Sequence, residues 1–304
     1  MTMTVVKPIP FTESMLVSST ATEPYPAWVS GTSYAKDVIV HHADPVTGDV
    51  REWQSLVNNN TVQPSYTDLI NWLDTGSSNR FAMFDNMIST QTHSASPLVV
   101  VFEPGDVISS LALINLVGAS VRVEMLQGST VVYDSTMSLQ GAIIADWWDY
   151  YFLQDEQVNQ ALFNDLPLYY APRIRITLTG VAGADVAIGH AVFGTRQEIG
   201  SLEMGATSGI IDYSRKGTDE FGETSFVRRT FADEFSGQVF VENGQLNRLK
   251  RLLRDLRATP CLWIGIDDTK YTETLVVYGW YRQHRIAIAY PEHSLVDLEI
   301  EGLT

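Results

Sequence analysis

The chain has 304 residues, of which 45% are hydrophobic and 18% are charged, and its formal net charge is −16. This length suits two or three domains, and the composition is typical of a folded protein and excludes a mainly disordered one. An acidic surface repels phosphate backbones, so the charge argues against nucleic acid as a general partner. The single cysteine, Cys261, excludes an internal disulfide, and its apolar neighbours predict a buried, unreactive thiol.

The first residues of the chain carry no recognisable targeting signal. Residues 1–19 lack a basic start followed by a long apolar run, and no stretch reaches the ~18 apolar residues that a membrane span requires. We therefore expect no membrane span, and we expect assembly in the cytoplasm where the protein is made. Residues 1–23 are rich in Thr, Ser and Val. They predict an extended arm, with a strand at residues 15–18, that pairs with another domain or a neighbouring subunit.

Residues 24–78 are predicted to form a small separate domain. β-Forming residues at 38–40 and 50–57 indicate two strands, and the Asp-Pro and Thr-Gly pairs between them indicate a hairpin connection. Residues 68–73 are compatible with one helical turn, and residues 75–79 have the composition of a linker.

The aromatic residues of this domain follow the order Trp28, Gly-Thr, Tyr34, Asp-x-Val, Trp53, Asn and Pro. Over residues 24–66, this order resembles that of the small chitin-binding type of carbohydrate-binding module. The sequence departs from that family at Lys36, where the family usually has glycine, at Trp53, where it usually has tyrosine, and in a longer hairpin connection.

The resemblance implies that exposed aromatic rings stack on sugar rings. It places Trp28 and Tyr34 partly in the core and partly on the surface, and Trp53 near the ligand face. These three residues are the candidate carbohydrate-binding residues. A domain of this size has a small core, so the alternative that all three rings only fill that core remains open.

Residues 79–195 are predicted to form an antiparallel β-sandwich or jelly roll. Short runs of β-forming residues are separated by turns, and several runs alternate apolar and polar residues. The predicted strands are residues 97–102, 107–117, 120–126, 130–135, 173–179 and 185–193.

A segment dense in aromatic residues interrupts this domain. Its candidate interface residues are Trp147, Trp148, Tyr150 and Tyr151, because aromatic clusters often lie between subunits. Two alternatives remain open, a plug at the end of the sandwich and a second platform for sugar rings. Acidic residues beside the segment are the best candidates for the paired carboxylates of a glycoside hydrolase, although a solvated acidic loop is the favoured interpretation. These acidic residues are Asp146, Asp149, Asp155 and Glu156.

Residues 196–304 combine predicted strands with a single predicted helix at residues 245–257. The predicted strands are residues 226–235, 237–241, 261–266, 273–280, 285–290 and 295–301. Leucines recur at helical spacing on one face of this helix, basic residues occupy most other positions, and a Thr-Pro pair ends it. The leucines are Leu246, Leu249, Leu252, Leu253 and Leu256, and the basic residues are Arg248, Lys250, Arg251, Arg254 and Arg257.

The order of strands, one helix and further strands resembles the β-sandwich-plus-helix fold of phage tail-tube and tail-tip proteins, which assemble into rings. The resemblance covers about a third of the chain and rests on element order. We expect the basic face of the helix to be solvated, or paired with acidic neighbours such as Asp233 and Glu234 or an adjoining subunit. A role in lining a tube or contacting nucleic acid is the less favoured interpretation.

The sequence contains none of the motifs that mark common catalytic or metal sites. It has no Gly-rich phosphate-binding loop, no His-Glu-x-x-His, no Cys-x-x-Cys and no Gly-x-Ser-x-Gly. We therefore predict no catalytic residue, no metal site and no cofactor.

These observations favour a mainly β structural protein of a phage virion, in the tail tip, baseplate or neck. Its expected partners are other virion proteins, further copies of itself and a host-surface glycan. The alternative is a free carbohydrate-binding protein or an accessory subunit of a glycoside hydrolase. A third hypothesis is an enzyme that uses the acidic and aromatic segment.

Overall fold

The computed structural model describes residues 2–140, 147–152, 158–181, 183–218, 221–267, 272–288 and 290–303. The fold is mainly β, as the sequence predicts. Within these residues, the first ten strands are β1 (Thr2–Pro8), β2 (Leu16–Ser19), β3 (Ile39–Ala43), β4 (Val50–Ser55), β5 (Trp72–Ser77), β6 (Thr92–Ala95), β7 (Leu98–Phe102), β8 (Ser110–Val117), β9 (Ser120–Gln127) and β10 (Thr130–Ser138). The others are β11 (Gln160–Phe163), β12 (Arg173–Thr179), β13 (Asp185–Leu202), β14 (Thr207–Asp212), β15 (Arg215–Thr218), β16 (Thr224–Val227), β17 (Phe231–Glu242), β18 (Cys261–Ile264), β19 (Val276–Ala287) and β20 (His293–Gly302). The helices are α1 (Trp147–Phe152), α2 (Leu246–Asp255) and α3 (Thr272–Leu275), and short 3-10 turns lie at Glu13–Met15, Ala82–Phe84 and Asn243–Gln245.

A β-sandwich forms the middle of the chain, as predicted. One layer is the five-stranded sheet β10-β9-β12-β7-β2, and the other is the β11-β8-β13 part of a larger ten-stranded sheet. Apolar side chains from both layers fill the space between them, including Phe102, Leu113, Val123, Ile176 and Phe193. In β12, alternate residues point into this core and leave polar side chains on the outer face.

A closed six-stranded barrel forms the C-terminal part of the fold. Its strands follow the order β13-β1-β18-β19-β20-β17, and the ring closes where β17 returns to β13 at the pair Leu202 and Val239. The interior contains apolar side chains such as Val5, Trp263 and Leu298. Closure leaves these six strands without a free edge in the ring. The predicted C-terminal sandwich therefore takes the form of a closed barrel.

Helix α2 packs its leucines against the interior of this barrel, as their spacing predicts. Leu249, Leu253 and Leu256 are buried with the barrel core, and the Tyr281 hydroxyl donates to the Leu253 carbonyl oxygen at 2.8 Å. The first residues of the strand predicted at 273–280 instead form α3, and β19 begins after it.

The first strand of the chain is part of the barrel. β1 pairs with β13 on one side and β18 on the other, and Met3, Val5 and Val6 are buried. Burial of these apolar side chains stabilises the inserted strand. Residues 1–23 therefore do not form a separate arm. Their pairing partner is another part of the same chain, which is one of the two partners that the sequence allows.

A small three-stranded sheet, β3-β4-β5, lies outside both larger cores. Strands β3 and β4 agree with the prediction, but β5 occupies most of the predicted linker at residues 75–79. The predicted helical turn is an irregular turn in which the Ile70 and Asn71 amides donate to the Asp68 carboxylate at 3.1 and 3.0 Å. Both differences arise because Trp72, at the start of β5, is buried in the sheet's core.

Strand β13 joins the sandwich to the barrel. Its first half pairs with β8 in the sandwich, and its second half pairs with β1 in the barrel. Gly194 lies where the partner changes, and a Cβ atom there would approach the Lys7 carbonyl oxygen to 2.2 Å. The close approach of β1 to β13 therefore requires glycine at this position.

Replacing Leu253 with aspartate is expected to unfold the barrel. The side chain is fully buried, and an unpaired carboxylate in an apolar core costs several kcal/mol, comparable to the whole stability of a domain. Circular dichroism during heating measures the loss. The matched control is Arg251→Asp, at an exposed position of the same helix, which should unfold near the wild-type temperature. A wild-type melting curve for Leu253→Asp would mean that α2 is not docked on the barrel.

Candidate functional site

Trp53 lies in the core of the small sheet and not on its surface. Only 1% of the residue is exposed, it packs with Val40 and Trp72, and its indole N–H donates to the His42 carbonyl oxygen at 3.1 Å. A ring without an exposed face cannot stack on a sugar. The structure therefore corrects the expected placement of Trp53 near a ligand face. The reason is that β4 is the central strand of the sheet, so its inward positions form the core.

Trp28 and Tyr34 are half-buried at the edge of the same core. The Tyr34 ring meets Trp72 edge-on with 5.8 Å between centroids, and its hydroxyl oxygen accepts the Val29 amide at 2.7 Å. The Trp28 ring centroid lies 4.9 Å from that of His42. Each ring keeps part of its surface exposed, so these two residues stay the candidate carbohydrate-binding residues.

Asp44 connects two loops of the small sheet through hydrogen bonds. The sequence marks Asp44 only as a turn residue and does not reveal this role. Its buried carboxylate accepts the Val46, Thr47 and Tyr66 amides at 2.8, 2.9 and 2.7 Å. Burial alone raises the pKa of this carboxyl, but the three amide hydrogen bonds outweigh it and leave the pKa below its ordinary value. Asp44 is therefore ionised at neutral pH and stabilises the hairpin connection.

The aromatic segment forms helix α1 with exposed side chains. Trp147, Trp148 and Tyr151 are 78%, 68% and 70% exposed, so these rings do not plug the sandwich. Their role as interface residues stays a prediction. The candidate residues that lie outside the described residues are Asp146, Asp155 and Glu156, together with the side chains of Asp149 and Tyr150.

Four exposed apolar side chains, here together called the hairpin surface, lie on and beside the β15–β16 hairpin: Ile210, Phe226, Val227 and Phe231. Their exposed fractions are 63%, 74%, 54% and 52%. Ile210 pairs with Asp233 in the β14–β17 ladder, so Ile210 and Phe231 share one face of that ladder. Strands β15 and β16 pair only with each other among the described strands. The predicted strand at residues 226–235 does not reveal this hairpin, because irregular backbone at residues 213–214 and 228–230 separates the hairpin from β14 and β17.

A cavity of about 440 Å³ opens where the small sheet, the sandwich and the barrel meet. Its wall includes Arg51 from the small sheet, Phe84 and His190 from the sandwich, and Tyr278 from the barrel. The Phe84 ring stacks on Phe11 with 3.7 Å between centroids. Local sequence patterns do not reveal this cavity, because its walls come from segments far apart in the chain.

His190 is a buried polar residue in this wall. Its Nδ1 atom has no hydrogen-bond partner among the described residues, and its ring centroid lies 4.5 Å from that of Tyr278. Burial lowers the pKa of His190 to about 4, and a hydrogen bond to the Met83 backbone opposes this shift only in part. The imidazole is therefore neutral at physiological pH.

Other titratable groups do not assemble into a metal centre within the part of the chain that the structure describes. No group of three His, Cys, Asp or Glu residues there could hold a metal ion. Cys261 is buried, as predicted, and burial raises the pKa of its thiol to about 12. None of the helices in the described ranges is long and apolar enough to span a membrane.

No protein-family model and no curated protein matches this chain. The resemblances to a chitin-binding module and to phage tail proteins therefore stay predictions from the sequence.

Trp53→Ala is expected to destabilise the small sheet by about 3–5 kcal/mol, which is typical of removing a buried aromatic side chain. Chemical denaturation followed by tryptophan fluorescence and limited proteolysis of the small sheet measure this loss. The control Leu69→Ala removes a side chain that is 82% exposed and should change stability by less than about 0.5 kcal/mol. Equal stability of the two variants would place Trp53 at the surface and restore it as a ligand candidate.

Acidification is expected to destabilise the fold through His190. Its pKa is about 4 in the folded protein and 6.5 in the unfolded chain, so between these values only the unfolded chain binds the proton. The free energy of unfolding should therefore fall by about 3 kcal/mol as the pH falls through this range. Chemical denaturation at a series of pH values measures the slope. His190→Phe, which keeps a ring without a titratable nitrogen, should reduce it, and an unchanged slope would contradict the assignment.

Proposed function

We propose that the protein is a structural subunit of a phage virion, in the tail tip, baseplate or neck, and that it assembles with copies of itself and with other virion proteins. The observation that carries this proposal is the hairpin surface. Four apolar side chains on and beside a β-hairpin are more than half exposed in the isolated chain.

An isolated two-stranded hairpin is only marginally stable in water. All residues of β16 are exposed, as are those of β15 except Gly217, so the hairpin has little core of its own. Several large apolar side chains exposed in one region are a common mark of a protein interface. Contact with a second molecule would cover this surface and would also supply neighbours for the hairpin strands.

The edge strand of the large sheet supports the same interpretation. β14 ends the strand order of that sheet and pairs only with β17 among the described strands. An edge strand offers unpaired N–H and C=O groups to another chain. The exposed rings of Trp147, Trp148 and Tyr151 on α1 form another apolar surface and make that helix a second proposed contact.

The choice of a virion among possible assemblies rests on the sequence resemblances. A barrel with one packed helix is compatible with the order of elements from which the resemblance to tail-tube and tail-tip proteins was drawn. The small sheet, as an outlying unit with half-buried Trp28 and Tyr34, is the proposed contact with a host-surface glycan. Burial of Trp53 leaves fewer rings for sugar and makes the alternative of a free carbohydrate-binding protein less favoured.

The proposal predicts that Phe226→Ser with Phe231→Ser weakens self-association at least about tenfold, because burying a phenylalanine contributes roughly 1.5–3 kcal/mol. Sedimentation velocity across a concentration series measures the association. The control pair Val131→Ser and Val181→Ser removes exposed apolar side chains of the sandwich and should leave it unchanged. Circular dichroism should show an intact fold in both double variants.

Two outcomes would count against the proposal. A wild-type protein that stays monomeric at high concentration and binds no other virion protein would reject the assembly function. Wild-type association by the phenylalanine variant would reject the hairpin surface as its contact.

A further inference from the structure

Helix α2 carries a concentrated positive charge on a strongly acidic protein. Its basic surface consists of Arg248, Lys250, Arg251, Arg254 and Arg257, all of which are exposed. Residues 246–257 contain these five basic residues and one acidic residue, Asp255, so their net charge is +4 while the whole chain carries −16. The remaining residues therefore carry −20, and positive charge is concentrated on this helix.

The basic surface has no ion-pair partner among the residues that the structure describes. Five other arginines of the chain do form ion pairs, for example Arg173 with Glu103 at 2.6 Å and Arg196 with Asp267 at 3.0 Å. The helix cations differ from them, since no described carboxylate lies within ion-pair distance of any of the five. Pairing with Asp233 and Glu234 of the same chain, which the sequence suggested, is therefore not found.

A complementary acidic surface lies on the outer wall of the barrel. It consists of Glu234 on β17 and of Asp297, Glu299 and Glu301 on β20, and Glu234 pairs with Glu301 in the ladder between these strands. One exposed cation, Arg285 on β19, lies opposite Asp297, so the four carboxylates outnumber it on this face. These residues also form no ion pair with any described residue. Hydrogen bonds from Gln238 to Asp297 and from Tyr213 to Glu301 are the polar contacts of two of them.

The basic and acidic surfaces of one chain face in different directions. Val296, Leu298 and Ile300 point into the barrel, so the acidic residues that alternate with them point away from it. Helix α2 packs on the interior side, through Leu249 and Leu253. The two surfaces therefore cannot meet within one molecule, but the basic surface of one copy is free to meet the acidic surface of another.

The basic surface along α2 and the acidic surface along β20 are also similar in length. Arg248 and Arg254 lie about 9 Å apart along a helix that rises ~1.5 Å per residue. Asp297 and Glu301 lie about 13 Å apart along a strand that rises ~3.3 Å per residue. Arginine side chains are long enough to bridge the difference, so a helix laid along β20 places several cations beside several carboxylates.

We propose that the basic surface of α2 docks on the acidic surface of β17 and β20 in a second copy of this chain. The proposal rests on the proposed assembly function and specifies one of its contacts. Because the two surfaces are different, the contact is heterologous, so each copy uses one surface for each neighbour and the arrangement continues into a ring or a filament. Complementary charges select the orientation of the copies, while the overall negative charge opposes other orientations.

Charge reversal tests the contact. The helix variant Arg248→Glu with Arg251→Glu and the strand variant Asp297→Lys with Glu299→Lys each place like charges at the contact. Each variant alone should self-associate at least about tenfold more weakly than wild type in sedimentation velocity, because close charge pairs at interfaces are strongly coupled. An equimolar mixture should regain association, with the two variants alternating, since every contact in the mixture then joins opposite charges.

The control is Lys7→Glu with Lys36→Glu, which changes the net charge as the helix variant does but at exposed lysines elsewhere. It should associate as the wild type does. Circular dichroism should show the same melting temperature for all variants, because every changed side chain is exposed or only partly buried.

The outcomes separate this inference from the proposed function. Wild-type association by the helix variant, or a mixture that fails to regain association, would overturn the helix-to-strand contact while leaving assembly through the hairpin surface intact. In that case the helix cations are solvated or meet another acidic partner. Absence of self-association by the wild type would overturn both.

Discussion

The pairing of β13 with strands of two different cores is the constraint on which the rest of the structure depends. One 18-residue strand pairs with β8 inside the sandwich, with β1 inside the barrel and with β17 where the barrel closes. Backbone groups buried on both sides must be hydrogen-bonded, so a shift of either core along β13 would break the ladder of hydrogen bonds between that core and β13. The two cores are therefore held in a fixed relation, and the cavity at His190 and the outer face of β20 keep their positions.

Local patterns in the sequence predicted the elements well but not their partners. The alternation in residues 173–179 and the leucine spacing in α2 depend on neighbours in the chain, and both elements were found where the pattern places them. The place of β1 in the barrel and the burial of Trp53 depend on contacts between distant segments, which spacing cannot reveal. The resemblance in aromatic order placed Trp53 at a surface. That order does not include Trp72, whose strand β5 pairs with β4 and makes β4 the central strand.

The molecule concentrates its interaction chemistry on surfaces outside its cores. The hairpin surface is apolar, helix α2 is basic and β20 is acidic, and both α2 and β20 are anchored through buried residues on their other side. Rigid anchoring lowers the entropy lost when such a surface binds, which favours specific contacts over nonspecific association. The proposed role as a structural subunit would need this combination, because the partners of such a subunit bind it repeatedly in one orientation.

The position of β1 in the barrel also determines when the molecule can mature during synthesis. β1 precedes the other described strands in chain order, yet its neighbour β18 lies about 260 residues later, at the pair of Thr4 with Ile264. The sandwich strands β7 to β12 are complete long before that, so this unit can fold while the barrel waits. A chain that is cut short before β18 lacks the closed barrel against which α2 packs. Translation through β20 is therefore required to present α2 and β20 together, because a chain that ends before β18 lacks β20 and the barrel strands against which α2 packs.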